Sequence, residues 1–109
     1  MSIDYTMAMC FGVVIPEQVV NRITERIEKH FGDDGVDEFM DTYCRQINQW
    51  SGGDYFFGFI DYLGDGLVHP IEEMAYNTLD FDYLMDEWNV INIIGLEYIP
   101  QAYIINFCH

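Results

Sequence analysis

At 109 residues the chain has the commonest size of a single domain, and with half its residues apolar and 17% aromatic it has ample material for one core. It carries 19 acids against four Lys and Arg, a formal net charge of −15. That balance argues against direct nucleic-acid binding, which needs Lys and Arg to displace counterions at phosphates, and against anionic lipid surfaces. It does not imply disorder, because disordered chains combine charge with low hydrophobicity. No apolar run reaches the roughly eighteen residues that span a bilayer.

The chain opens with a strict alternation. Ile3, Tyr5, Met7, Met9, Phe11, Val13 and Ile15 are large and apolar, and Asp4, Thr6, Ala8, Cys10, Gly12 and Val14 lie between them. A period of two predicts a long strand with one heavily buried face. The small residues predict close packing on the other face, beneath a helix. Asp4 ahead of the apolar stretch, with no basic residue before it, reads as mature protein and not as a cleaved leader.

Pro16 suits a helix start, and Val20, Ile23, Ile27 and Phe31 recur at helical spacing. Glu25 and Lys29 form an i, i+4 pair. Gly32 is expected to stop this helix, with Asp33-Asp34-Gly35 as a turn. Val36, Phe39, Met40, Tyr43, Ile47 and Trp50 predict a second helix, ended by Ser51-Gly52-Gly53.

YFFGFIDYL (55–63) reads as an aromatic strand, in which Gly58 marks a bulge or a close backbone approach. Gly64-Asp65-Gly66 is a turn signal, and Leu67-Val68 can begin a returning strand. IEEMAYNTL after Pro70 is a short helical candidate. Asp80 is a candidate N-cap for a further helix with Phe81, Leu84, Trp88 and Ile91 as its apolar stripe and Gly95 at its end. AYIINFC (102–108) is apolar on both faces and reads as a strand central in its sheet.

The fold class is therefore α+β, one domain over 1–109. A small, mostly antiparallel sheet holds the N- and C-terminal strands and a central strand or hairpin, packed by three to four helices. The two terminal strands are expected to be neighbours.

Chemistry is hard to locate. Cys10, Cys44 and Cys108 show no C-x2-C spacing, and they read as buried reduced thiols of a cytoplasmic protein. Cys108-His109 lacks the paired spacing of structural zinc sites and reads as a strand end. Asp80-x-Asp82 and GDDGVDEF offer oxygen ligands but not the EF-hand order with its central Gly and twelfth-position Glu. Carboxylate pairs are too abundant to single out a hydrolytic pair, and the Gly-rich stretches lack a phosphate-binding Lys. No metal, cofactor or catalytic residue is assigned, and the chain reads as non-enzymatic.

The distribution of charge is more informative. Residues 1–45 hold nine acids and all four bases, Arg22, Arg26, Lys29 and Arg45, whereas residues 46–109 hold ten acids and no Lys or Arg. Ordinary solvated surfaces mix both signs. In DFDYLMDEW (80–88), helical spacing turns Phe81, Leu84 and Trp88 inward, sets Asp82 and Asp86 one turn apart outside with Glu87 beside them, and leaves Tyr83 on the acidic side. A surface of one sign steers a basic partner toward it, and rows of carboxylates can imitate rows of phosphates. Candidate contacts are Asp61, Asp65, Glu72, Glu73, Asp80, Asp82, Asp86 and Glu87.

In size, acidity and scattered aromatic residues the chain resembles the small DNA-mimic inhibitors that phages encode against host defences, the anti-restriction and anti-CRISPR proteins. Its MSIDYTMAMCFGVVI opening also resembles small phage proteins of unknown role. The resemblance implies a non-enzymatic inhibitor in the host cytoplasm, docked on the basic nucleic-acid channel of a host enzyme. The alternative is an interaction module, such as a toxin's immunity protein, that neutralises its partner by shape and aromatic contacts.

Overall fold

The computed structural model describes residues 4–63, 76–95 and 97–109. Strand β1 spans Tyr5–Ile15, helix α1 Glu17–Thr42, β2 Cys44–Gln46, β3 Tyr55–Tyr62, α2 Thr78–Glu87 and β4 Gln101–Cys108. The fold is α+β, and the four strands among the described residues form an antiparallel sheet in the order β2-β3-β1-β4. The terminal strands are neighbours, as the sequence indicates, with Tyr5 opposite Cys108 and Gly12 opposite Gln101. The interior positions belong to β3 and β1, however, and the C-terminal strand stands last in the order.

The sheet curls until its ends meet. After β2 the chain returns beside β4, where Cys108 N–H donates to Ile47 C=O at 2.9 Å and Gln49 N–H donates to Cys108 C=O at 2.9 Å. The curl places Ala8, Cys10, Phe56, Ile105 and Phe107 in one buried cluster on the concave side. This corrects the expectation for β1. Its small residues face the curled interior and not a helix, while Tyr5 and Met7 of its large face are 66% and 45% exposed. Only the second half of that large face, Phe11, Val13 and Ile15, packs into the main core against the helices.

Two glycines permit the curl. Gly12 and Gly58 are cross-strand partners. A Cβ on Gly12 would lie 2.1 Å from the Phe57 carbonyl oxygen and 2.8 Å from Gly58 Cα. Gly58 has φ +149°, and its own Cβ would meet the Phe11 carbonyl oxygen at 2.3 Å. The close approach expected at Gly58 is thus present, and its partner is the backbone of β1.

The described residues form two helices, not three to four. The break expected at Gly32 is present: α1, counted here as one element, is two helical segments meeting at a kink where Gly32 takes φ +76° and ψ −174°. Asp33, Asp34 and Gly35 are helical, and Gly35 lies buried against Phe31. Val20, Ile23, Ile27 and Phe39 are the inward stripe. Full burial of Ile23 or Ile27 contributes about 1.5–3 kcal/mol each as an upper figure. The helix ends at Thr42, because Cys44–Gln46 pairs with β3, and Trp50 is correspondingly 49% exposed. The returning strand at Leu67-Val68 and most of the helical candidate after Pro70 lie outside the described residues.

Helix α2 starts and stops through its own side chains and turns. Asn77, not Asp80, is its N-cap: Asp80 N–H donates to Asn77 Oδ1 at 3.1 Å, and Asn77 N–H donates back to Asp80 Oδ2 at 2.9 Å. The stop comes at Asn89 and not at Gly95. Asn89 takes φ 57°, its N–H donates to Asp86 C=O at 3.1 Å, and Val90 N–H donates to Met85 C=O at 2.9 Å. This is a Schellman ending with Asn in the left-handed position and apolar Val90 packed near Met85. Ile91, expected on the buried stripe, is therefore beyond the helix and 48% exposed.

Candidate partner-binding surface

Helix α2 is a ridge with a cleft on each flank. Asp80, Tyr83, Leu84 and Glu87 recur at i, i+3, i+4 and i+7 and line the first cleft, of about 210 Å³. Its opposite wall comes from Tyr43 after α1, Phe59 of β3, and Tyr76 ahead of α2. Phe59 and Tyr76 stack with ring centroids 4.0 Å apart and planes at 2°, and Tyr43 meets Phe59 edge-on at 6.3 Å. The other helical row, Thr78, Asp82 and Met85, lines a larger groove of about 430 Å³ completed by Ile91, Tyr98, Ile99 and Pro100. Ile99 on this side is 70% exposed.

The expected contact residues separate accordingly. Asp80 lines the aromatic cleft, half-buried, with one carboxylate oxygen engaged in the helix cap. Glu87 lines the same cleft and also a smaller one of about 180 Å³ shared with Phe31, Glu38 and Trp88. Asp82 stands at the rim of the apolar groove, and Asp86 is exposed one turn from Asp82. Asp61 is exposed near the end of β3, two residues beyond Phe59 on the same strand face. Asp65, Glu72 and Glu73 lie outside the described residues.

Two carboxylates, Asp80 and Glu87, and no Lys or Arg line the aromatic cleft. The Tyr43 phenol is pushed up from its ordinary pKa by burial first, then by the carboxylates of Glu87 and Glu38 and by Tyr76. Tyr43, Phe59, Tyr76 and Glu38 were not marked by the sequence, because 43, 59 and 76 sit on three separate elements. Tyr83 was the one signal: 66% exposed, on the acidic side of α2.

The basic residues sit elsewhere. Arg22, Arg26 and Lys29 share a hollow with Glu25 and Ile93, and Arg26 Nη1 donates to Asn89 C=O at 3.2 Å. Arg45 Nη1 donates to the Tyr62 hydroxyl at 3.0 Å and covers the Phe107 ring at 4.9 Å. None of these four residues lines either of the α2 clefts.

The cysteines are buried and form no disulfide. Burial pushes the Cys44 thiol up to about 12, and burial together with nearby Asp61 does the same for Cys10. Both are neutral at pH 7 and poor nucleophiles. Among the described residues no three His, Cys, Asp or Glu side chains gather as metal ligands. His109 instead pairs with the start of β1, its Nε2 2.8 Å from Thr6 Oγ1 and its N–H donating to Asp4 C=O at 2.8 Å. No helix among the described residues is long and apolar enough to cross a membrane.

Comparison with known protein families, with curated proteins and with solved structures finds no match to this chain.

Proposed function

We propose that the protein is a non-enzymatic inhibitor that docks the α2 ridge on the basic nucleic-acid-binding surface of a partner enzyme, in place of the nucleic acid. The observation that carries this reading is the ridge itself. Asp80, Asp82, Asp86 and Glu87 are distributed along one ten-residue helix between two clefts, and no basic residue lines either cleft. Apart from Asp80, which completes the N-terminal cap, nothing in the packing of α2 requires these acids, since its buried contacts are made by Phe81, Leu84 and Met85. Rows of carboxylates beside exposed Tyr83 give both long-range attraction and contact area.

The test is competition. The protein, immobilised at low salt, should retain nucleic-acid enzymes from a bacterial lysate, and duplex DNA or RNA should displace them. Retention should vanish with Asp82→Lys, Asp86→Lys and Glu87→Lys combined. Retention of the same enzymes by the charge-reversed protein would refute this placement.

A second reading is favoured by one feature, the apolar groove with Ile91 and Ile99 at its surface. It is the geometry of an interface driven by shape, as in an immunity protein, and docking of that kind resists salt and is indifferent to competing nucleic acid.

A further inference from the structure

The cleft between α2, β3 and the end of α1 has a composition that a merely solvated acidic face does not require. Three tyrosines and a phenylalanine form its walls, and two carboxylates stand at the α2 side. Phe59 and Tyr76, stacked on each other, and Tyr43, edge-on to Phe59, make this wall aromatic. Aromatic faces carry negative quadrupole potential and attract cations held against them. The two carboxylates differ in availability. Asp80 Oδ2 already accepts the Asn77 N–H. Glu87 lies two helical turns further along the same row, exposed at the cleft.

Size narrows the occupant. At about 210 Å³ the cleft is smaller than the 300–1,000 Å³ usual for whole small-molecule ligands, and it suits one side-chain head. Chemistry narrows it further. A guanidinium is planar, stacks on rings, pairs with carboxylates and sheds its hydration more readily than an ammonium. An anion would meet Glu87, Asp80 and a wall of four aromatic rings, and a neutral apolar chain would leave Glu87 without a partner at the contact.

We propose that this cleft is an arginine anchor: it takes the guanidinium of one arginine of the partner, stacked on the aromatic walls and paired with Glu87. The proposal rests on the docking reading above and specifies the chemistry at one point of it. Tyr83 acts as the outer wall, and the carboxylates of Glu87 and Asp80 at the cleft favour the cation. A phosphate-binding surface of an enzyme, rich in arginine, supplies such a group.

The experiment uses the full chain labelled with 15N and two probes, N-acetyl-arginine amide and the citrulline counterpart, which has the same shape without the charge. Backbone signals of residues 43, 59, 76, 83 and 87 are followed with the indole N–H of Trp88. Among the described residues that buried N–H has no hydrogen-bond partner, and Trp88 borders the adjoining cleft with Glu87. The arginine probe should give saturable shifts confined to this cleft, with the citrulline probe at least tenfold weaker. Glu87→Gln and Tyr83→Ala, both exposed positions, should each weaken binding at least fivefold with chemical shifts elsewhere unchanged. Glu28→Gln, exposed on α1 and outside the cleft, should change it less than twofold. Equal response to citrulline, shifts spread over the acidic surface, no localised shift at all, or unaltered binding in Glu87→Gln would each overturn the anchor. If the arginine probe fails while partner capture persists and is displaced by DNA, the anchor falls and the docking reading stands. If the probe binds and capture fails, the reverse holds.

Discussion

The end of α2 carries charge of the wrong sign for a helix, and removing it should stabilise the free protein. Asp86 and Glu87 occupy the last turn, where no basic residue is present and where the carbonyl ends give the helix its negative pole. Each carboxylate there costs about 0.3–1 kcal/mol, and Asp82 facing Asp86 one turn away adds roughly 0.2–0.5 kcal/mol of repulsion. Asp86→Asn with Glu87→Gln should therefore raise unfolding stability by about 1–2 kcal/mol, a Tm increase of roughly 4–10 °C for a chain of this size. Both side chains are exposed, so no cavity offsets the gain. Urea unfolding followed by circular dichroism measures it. At about 1 M salt, where the Debye length falls to roughly 3 Å, most of the gain should disappear. A loss of stability, or a gain independent of salt, would refute the electrostatic account of this turn. A gain coupled to weaker partner binding is the pattern of a helix end kept acidic for contact and not for folding.

Three further outcomes follow from the fold. Gly58→Ala should destabilise the protein by about 3 kcal/mol or more, because its Cβ would strike the Phe11 carbonyl and the backbone there cannot yield; near-normal urea stability would contradict the strand crossing at Gly12. Asn77→Ala should cost about 1 kcal/mol through loss of the reciprocal cap, read by the same denaturant titration, and a neutral result would place the start of α2 elsewhere. For Cys44 burial pushes the folded pKa to about 12, above the ordinary 9.0 of the unfolded thiol, so its stabilising contribution is complete below pH 9 and is lost as pH rises toward 12. At about 1.4 kcal/mol per pH unit the loss reaches roughly 4 kcal/mol near pH 12. Stability of Cys44→Ala should accordingly fall less steeply than that of the parent between pH 9 and 12, and parallel pH profiles would contradict the burial of this thiol.

The parts of this structure legible in the sequence are those set by local rules. The alternation in 5–15, the pairing of the two terminal strands, the role of Gly58 and the inward set Phe81, Leu84 and Trp88 all follow from periodicity and glycine sterics. What failed depended on distant partners. Tyr43 and Ile47 continue the spacing of Val36, Phe39 and Met40, yet β3 captures Cys44–Gln46 as a strand. Pairing with a neighbour outweighed a helical pattern with no breaker in it. Side-chain size does not rank the two faces of β1, because the sheet curls around the face that carries the small residues. Of the expected contact residues, Asp80 and Glu87 meet in one cleft because i and i+7 share a helix face. The rings opposite them come from positions 43, 59 and 76, whose meeting is a property of the tertiary fold.

The central claim is that an acidic ridge substitutes for nucleic acid on a basic partner. The most direct measurement is the salt dependence of the dissociation constant with one purified, captured enzyme, from about 50 to 500 mM salt, for the parent and for the Asp82→Lys, Asp86→Lys, Glu87→Lys protein. The account predicts steep weakening of the parent complex with salt, mutual exclusion with duplex DNA or RNA, and collapse of affinity in the variant. An affinity nearly flat across that range, insensitive to nucleic acid and retained by the variant, would contradict it.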